Sequence, residues 1–360
     1  MALQFHSLKI RSVRKETEDA VSVAFAVPDA LQEAFQFQAG QYLTVRQMID
    51  GDDTRRSYSI CAAHKPDEVR IAIKKVEGGR FSTHALDTFK EGLDVDVMPP
   101  TGRFTLAGDG ERSGKIYAGF AAGSGITPIM SMIETTLSQD DSSRFFLFYG
   151  NKSSGSIMFK QKLEDLKDRF MDRLCVYHFL SQEETDLSLL HGRLDAEKID
   201  ELLTTVLPAN HIEHAYLCGP GSLVEAGREV LLKNGLSAEQ VHSELFTPAG
   251  GAAPVRKDQT LRKDSGVTGS KASIILDGNR HSVTVEGDDT ILQAALNAGL
   301  EVPYSCTAGM CCTCRARVTK GEVDMAVNYS LEPWEVEAGY VLTCQSRPKG
   351  ESVSVDYDDV

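Results

Sequence analysis

The sequence SCTAGMCCTC at residues 305–314 decides the fold of the C-terminal part of this 360-residue chain. Its Cys306, Cys311 and Cys314, together with Cys344 far downstream, follow the C-x4-C-x2-C…C spacing of a 2Fe-2S cluster, in which each iron takes two thiolates. Gly309 lets the backbone curl closely around the cluster, with amides available to its sulfurs. A structural zinc site is the alternative, but zinc loops usually pair C-x2-C with a second such pair or with histidines. No second pair follows here, so the spacing favours iron.

The other four cysteines do not suggest disulfides. Cys312 lies in the same loop but off the ligand pattern, and we interpret it as a free, half-buried thiol. Cys61, Cys175 and Cys218 stand in apolar or turn contexts typical of core or site-lining residues. A cluster beside reduced thiols indicates a reducing compartment. The N-terminus lacks a secretory signal pattern, and no apolar run approaches membrane-spanning length, so we expect a soluble, cytoplasmic protein.

Composition indicates a globular protein of two to three domains. The 38 basic and 52 acidic side chains give a formal net charge of −14, which argues against nucleic-acid binding. This acidity suits docking to a basic patch on a partner protein, although simple solubility explains it equally well.

Changes in composition along the chain indicate a linker and a C-terminal domain. Residues 248–270 are rich in Pro, Gly, Ala, Ser and charge, and they predict an exposed linker. The linker precedes a ferredoxin-like α+β (β-grasp) domain at 271–360, with a β-hairpin turning at Asp277-Gly278-Asn279 and a helix that Asp289 or Thr290 can cap. This helix, ILQAALNAG, should stop at Gly299, just before the cysteine loop.

The two earlier segments differ in their periodicity. Residues 1–108 hold short, regularly spaced β-rich runs, which predict a small antiparallel β-barrel. In residues 109–247, strands alternate with helices, which predicts a doubly wound α/β domain around a parallel sheet.

Several short motifs carry chemistry. The run RSYS, residues 56–59, offers a guanidinium for phosphate, an aromatic ring to pack on a flavin and a hydroxyl for the flavin edge. Downstream, IAIKKVEGGRFST contains a glycine turn whose amides suit a pyrophosphate, or which simply caps a helix. The run GFAAGSGITP at 119–128 follows a strand and opens a helix, as a dinucleotide-binding glycine loop does, although it is not G-x-G-x-x-G.

The motifs RSYS, KKVEGGRFST, PPTGRF, GSGITP, CGP and ELF occur in the order found in the ferredoxin–NADP reductase superfamily, and the chain resembles that superfamily. With its C-terminal plant-type ferredoxin module, it is similar to the reductase components of bacterial multicomponent oxygenases. The likeness covers nearly the whole chain except the linker. It implies an oxidoreductase that carries FAD and a 2Fe-2S cluster and donates electrons to an oxygenase partner.

The resemblance also implies residue roles. The residues that would line the reacting flavin and nicotinamide are Ser59, Cys218, Glu244 and Phe246. Alternatively, Phe246 is simply an aromatic residue of the core. FAD contacts would come from Arg56, Ser57, Tyr58, Ser59, Ile73, Lys74, Gly79, Phe81, Ser82 and Thr83. Nicotinamide dinucleotide contacts would come from Gly123, Ser124, Gly125, Thr127, Lys152 and Ser153. The cluster ligands would be Cys306, Cys311, Cys314 and Cys344.

The choice of nicotinamide dinucleotide rests on charge. The stretch YGNKSS at 149–154 contains no acid for a ribose hydroxyl, whereas Lys152, Ser153 and Ser154 suit a 2′-phosphate. We therefore expect NADPH, with a solvated, uninvolved Lys152 as the alternative.

The parts fit one electron path, in which NADPH delivers two electrons, a flavin receives the pair, and the cluster takes single electrons. A redox-sensing iron–sulfur protein would lack intact flavin motifs, and a stand-alone flavin reductase would lack the ferredoxin module. An NADH-using reductase of an aromatic-ring dioxygenase or another diiron hydroxylase stays open, because domain order does not exclude it.

Overall fold

The computed structural model describes residues 4–107, 114–184, 187–247 and 269–359. The chain divides into two compact units, one spanning residues 5–250 and the other formed mainly by residues 251–360. Most of the predicted linker at 248–270 and the predicted boundary at 108/109 lie outside the described residues. None of the helices in the described ranges is long and apolar enough to cross a membrane.

The first unit begins with the predicted antiparallel barrel. Its six-stranded sheet has the order β4-β3-β6-β1-β2-β5, and a bridge between Ile60 and Ile71 links the two end strands. Alternating apolar residues such as Leu8, Leu43 and Ile71 fill its interior because every second side chain of a strand faces inward. The elements are β1 (His6–Thr17), β2 (Ala20–Ala26), β3 (Tyr42–Ile49), β4 (Asp52–Ser59), β5 (Glu68–Lys74), α1 (Arg80–Thr88) and β6 (Asp94–Val97).

The same unit continues into the predicted doubly wound domain. Its five strands are all parallel, in the order β11-β10-β7-β8-β9, and apolar cores lie on both faces of the sheet. Chain order reverses between β7 and β10, and ligands of such sheets bind at the carboxyl ends of the strands at this point. The elements are β7 (Ile116–Ala122), α2 (Ile126–Gln139), β8 (Arg144–Asn151), α3 (Lys160–Arg169), β9 (Leu174–Leu180), α4 (Ala196–Thr205), β10 (His214–Pro220), α5 (Gly221–Lys233) and β11 (Val241–Thr247).

Polar contacts fix the barrel against the parallel sheet. The Ser131 hydroxyl on α2 donates to the Ala62 carbonyl at 2.7 Å, and the Ala63 amide donates to Glu134 Oε2 at 3.0 Å. The Ala107 amide donates to the Tyr216 hydroxyl at 2.8 Å. The end of β4 is thereby held beside the start of the nucleotide domain.

The second unit is the predicted β-grasp domain. Its main sheet has the order β13-β12-β18-β14-β16, and β12 and β18 are parallel neighbours. The hairpin turns where predicted, with Asp277 and Gly278 at positive φ, and the Thr290 hydroxyl caps α6 by accepting the Gln293 amide at 3.2 Å. The elements are β12 (Ser270–Leu276), β13 (Asn279–Val285), α6 (Ile291–Asn297), β14 (Arg315–Lys320), β15 (Val323–Met325), α7 (Pro333–Glu337), β16 (Tyr340–Leu342), β17 (Ser346–Pro348) and β18 (Ser352–Asp356).

Candidate functional site

The end of β4 presents the RSYS residues on alternate sides. Arg56 is exposed, Ser57 and Tyr58 are half-buried, and Ser59 is buried. The Tyr58 ring lies 5.8 Å from the Phe81 ring between centroids, and burial raises the pKa of the Tyr58 hydroxyl well above its usual range. Tyr58 therefore stays neutral, with a fixed ring that a planar aromatic ligand can contact.

A glycine turn opens α1. The Ser82 hydroxyl accepts the Val76 amide at 3.0 Å, which closes the turn. A Cβ on Gly79 would lie 2.7 Å from Ser82 Oγ and 2.9 Å from Val76, so the turn requires glycine. The turn leaves the N-terminal amides of a nine-residue helix available for an anion such as a pyrophosphate.

The remaining predicted flavin residues divide into two groups. Ile73 and Phe81 are 0% and 1% exposed in the barrel core, so only their main chains can meet a cofactor. Lys74 and Thr83 are half-buried, and the Lys74 ammonium lies 3.5 Å from Asp19 Oδ2. A phosphate near Lys74 would therefore share this cation with Asp19.

The glycine loop after β7 lies at the switch point of the sheet. A Cβ on Gly125 would come within 2.1 Å of the Cys218 carbonyl oxygen, so the absence of a side chain lets the ends of β7 and β10 meet. Gly123 has a φ of +54°, and the Thr127 hydroxyl donates to the Ser124 carbonyl at 3.0 Å. The loop thus directs the first amides of α2 toward the carboxyl edge of the sheet, where a dinucleotide phosphate binds.

Three of the four predicted catalytic residues come together at that edge. The Ser59 hydroxyl donates to Glu244 Oε2 at 3.3 Å, and Glu244 pairs in register with Cys218 on the neighbouring strand. Cys218 is fully buried, and burial, with Glu244 adding to it, raises the pKa of its thiol well above the usual range. Cys218 is therefore a neutral packing group rather than a nucleophile.

Phe246 lies two residues beyond Glu244 on β11, where the pairing of β11 with β10 shifts its register. It is partly buried and packs against the apolar core that contains Cys61, Ala72 and Cys218. Its ring therefore belongs to the same end of the sheet as the Ser59–Glu244 contact.

The residues predicted to select the dinucleotide follow β8. Lys152 is exposed and Ser153 is half-buried. The structure adds Glu183, whose Oε2 accepts the Ser154 amide at 2.7 Å and the Ser154 hydroxyl at 3.0 Å. Sequence reasoning missed this acid because it is 29 residues from Ser154 and follows a different strand.

The cysteine loop of the second unit holds its sulfurs in two pairs. The Cys306 amide donates to Cys311 Sγ at 3.5 Å, and the Ala308 and Met310 amides donate to Cys306 Sγ at 3.4 Å. In the other pair, the Cys314 thiol hydrogen-bonds Cys344 and lowers its pKa, while Gln345 Nε2 donates to Cys344 Sγ at 3.6 Å. Hydrogen bonds from Cys311 and from the two loop amides lower the pKa of Cys306.

The loop geometry fits a two-iron cluster. Thr307, Gly309 and Cys312 all have positive φ, which wraps the chain tightly and turns amides inward. The pairing of Cys306 with Cys311 and of Cys314 with Cys344 fits two irons that each take two thiolates.

Cys312 is half-buried, as predicted, and its thiol donates to the Ser330 carbonyl at 3.4 Å. All eight cysteines lie in described residues and form no disulfide.

Comparison with known proteins matches three family models along the chain. An oxidoreductase FAD-binding domain matches residues 7–106, an oxidoreductase NAD-binding domain matches 120–229, and a 2Fe-2S iron–sulfur cluster binding domain matches 274–349.

Curated relatives match over nearly their full length. The chain is 42% identical to a subunit of the 1,2-phenylacetyl-CoA epoxidase of Escherichia coli, over 98% of both chains. It is 31% identical to the ferredoxin reductase component of 3-ketosteroid-9-alpha-monooxygenase from Rhodococcus rhodochrous, over 97% of this chain and 96% of the relative. Among solved structures, phthalate dioxygenase reductase has the same fold, with a TM-score of 0.59 at 24% identity over 98% of both chains. The chain therefore belongs to the family of FAD-, NAD- and 2Fe-2S-domain oxidoreductases that serve as reductase components of multicomponent oxygenases.

Proposed function

We propose that this protein carries electrons from NADPH, through FAD and a 2Fe-2S cluster, to the oxygenase of a phenylacetyl-CoA 1,2-epoxidase system in phenylacetate catabolism. The choice of this oxygenase as electron acceptor is supported by the 42% identity, over 98% of the chain, to a relative that is part of that epoxidase. The proposed hydride transfer is supported by the position of Ser59, Glu244 and Cys218, which lie together at the switch point of the parallel sheet.

The residues of the first unit would bind and align the two dinucleotides. Bound FAD supplies the conversion of a hydride, two electrons together, into single-electron transfers that a 2Fe-2S cluster accepts. Arg56 and the first amides of α1 would hold the FAD phosphates, with Ser57, Lys74 and Thr83 around them. Tyr58 would lie against the flavin ring.

The groups around the hydride path would position it rather than react. Ser59 would place its hydroxyl at the flavin edge, held in orientation by Glu244 Oε2 at 3.3 Å. Cys218, buried and neutral, would pack against the nicotinamide and exclude water. Phe246 would cover the other flavin face. The loop of Gly123, Ser124, Gly125 and Thr127 would receive the nicotinamide dinucleotide phosphates.

NADPH is the proposed donor because of the residues after β8. Lys152 is an exposed cation, and Ser153 beside it offers a hydroxyl and an amide. Glu183 opposes this preference, because its carboxylate already accepts both Ser154 donors. A 2′-phosphate would bind beside Lys152 and compete with Glu183 for these donors.

Location and domain boundaries are part of the same proposal. Eight cysteines without a disulfide, four of which would bind the cluster, suit the reducing cytoplasm. We assign the flavin barrel to residues 1–108, the nucleotide domain to 109–247, the linker to 248–270 and the ferredoxin domain to 271–360.

The acceptor is tested by following NADPH oxidation when the purified protein is mixed with the phenylacetyl-CoA oxygenase, with and without phenylacetyl-CoA. Oxidation that requires phenylacetyl-CoA and forms the epoxide is expected. A Cys314→Ala protein in the same mixture controls for electrons that leave the flavin directly. Oxidation that is equally fast without phenylacetyl-CoA would contradict this acceptor and point to another oxygenase, such as an aromatic-ring dioxygenase or another diiron hydroxylase.

A further inference from the structure

A buried ion pair involves the residue that immediately follows the cysteine loop. Arg315 is the first residue of β14 and follows the predicted ligand Cys314. Its Nε lies 2.9 Å from Glu335 Oε1, and the two side chains are only 6% and 1% exposed. The N–H does not point at the carboxylate well enough to form a hydrogen bond, so the attraction is mainly Coulombic.

Both partners are held by further contacts. The second carboxylate oxygen of Glu335 accepts the Glu332 amide at 2.9 Å, which closes the capping box of α7. The Arg315 guanidinium carbon lies 3.5 Å from the centroid of the Tyr340 ring on β16. The pair therefore connects α7 and β16 to the strand that begins at the cluster loop.

The same strand start anchors Cys314 itself. The Cys314 carbonyl accepts the Thr343 amide at 3.2 Å and the Thr343 hydroxyl at 2.9 Å, immediately before the other ligand of its pair, Cys344. A displacement of Arg315 would consequently move one ligand directly and disturb the second through Thr343.

Stability alone does not account for such a pair. Removing two charges from water is costly, and well-packed apolar residues often stabilise a fold equally well. An uncompensated charge beside a redox centre, however, shifts its reduction potential, because the reduced cluster carries one more negative charge than the oxidised cluster.

We propose that Arg315 and Glu335 are positioning residues for the cluster, which fix Cys314 and keep the charge beside the cluster neutral, and so set the potential at which electrons leave the protein. The inference rests on the proposed cysteine ligands. A wild-type protein that binds no 2Fe-2S cluster would contradict those ligands. A bound cluster whose reduction potential does not depend on this ion pair would contradict only the inference.

The test measures the cluster reduction potential by spectroscopic redox titration of the full-length holoprotein. Glu335→Gln keeps the shape but leaves the Arg315 cation unpaired, so the potential should rise. Arg315→Met combined with Glu335→Gln removes both charges, so the potential should return to that of the wild type. The flavin absorbance of each variant serves as an internal control for correct folding of the first unit.

The matched control is the exposed ion pair on the same strand, where Arg317 Nη1 lies 2.8 Å from Asp359 Oδ2, with side chains 45% and 44% exposed. Asp359→Asn should leave the potential nearly unchanged because water screens the remaining charge. An unchanged or lowered potential in Glu335→Gln, or an equal rise in Asp359→Asn, would overturn the proposal.

Cluster content provides the second measurement if Glu335→Gln loses iron. Recovery of iron and labile sulfide in the double variant would support the proposal, because the unpaired cation is then the cause of the loss. Absence of the cluster from both variants would contradict a role of charge neutrality.

Discussion

The Ser59 hydroxyl donates to Glu244 Oε2 over 3.3 Å, and this contact joins the last residue of the barrel strand β4 to the middle of β11. The two residues are 185 positions apart and belong to different sheets. Because Glu244 also pairs in register with Cys218, the contact fixes the barrel edge relative to the switch point of the parallel sheet. The geometry of the proposed hydride path would therefore depend on how the two sheets fit together, in addition to the local sequence motifs.

Ser59→Ala should slow flavin reduction by NADPH about fivefold, because one positioning hydrogen bond contributes about 1 kcal/mol. Stopped-flow bleaching of the flavin absorbance measures this rate. Ser131→Ala is the matched control, since it removes another hydroxyl that crosses the same junction, the 2.7 Å bond to the Ala62 carbonyl, without facing Glu244. Equal slowing in both variants would assign the effect to loosening of the junction.

Cys314→Ala should abolish the cluster and the electron transfer that depends on it, while flavin reduction by NADPH continues. The substitution removes one thiolate of the Cys314–Cys344 pair, and an iron with one protein ligand is not retained. The absorbance of the cluster and the rate of flavin bleaching are compared in one sample. Cys312→Ala, in the same loop but off the ligand pattern, should keep both properties; parallel loss of flavin reduction in Cys314→Ala would refute the electron order.

Glu183→Gln should raise the preference for NADPH over NADH, measured as the ratio of the two kcat/KM values, by about fivefold. The carboxylate accepts both Ser154 donors, so removing its charge relieves repulsion toward a 2′-phosphate at a partly screened distance. Glu184→Gln, at the exposed neighbouring position, is the control. An unchanged ratio in Glu183→Gln would place the 2′-phosphate away from Ser154.

Local patterns in the sequence predicted most of the fold. The alternating runs indicated the barrel, the strand–helix alternation indicated the parallel sheet, and Asp277-Gly278 marked the hairpin, because each of these signals acts over a few residues. The pairing of β12 with β18 could not be predicted from such local patterns, since it joins strands at the two ends of the domain sequence.

In the candidate site, too, local sequence patterns could be interpreted, whereas contacts between distant residues could not. The cysteine spacing predicted a 2Fe-2S domain because three of the four proposed ligands fall within nine residues, and a family model of such a domain matches residues 274–349. The Glu183–Ser154 and Arg315–Glu335 contacts were missed, since each joins residues about 20 to 30 positions apart whose types have ordinary surface roles. Ile73 and Phe81 were predicted to contact the flavin, but their side chains lie in the barrel core. The sequence pattern does not distinguish an apolar residue that fills the core from one that faces a cofactor.

A half-buried histidine pair should make the first unit sensitive to acid. His214 Nδ1 lies 3.1 Å from His242 Nε2, and the His242 ring stacks on Tyr216 at 5.0 Å between centroids. Burial, followed by the charges of His214 and Arg228, lowers the pKa of His242 to about 4. The folded pKa lies below the unfolded value, so the stabilisation is complete above about pH 6.5 and is lost as the pH falls toward 4.

His242 alone should cost about 2 kcal/mol of the free energy of unfolding between pH 7.5 and pH 5, because pH 5 lies about 1.5 units below its unfolded pKa. Urea unfolding of the flavin-loaded protein at both pH values measures the loss, and His242→Gln should reduce it because glutamine does not titrate. His211→Gln, at an exposed position before β10, should keep the wild-type pH dependence. An identical pH dependence in His242→Gln and the wild type would show that acid acts through other groups, since the substituted position can no longer take up a proton.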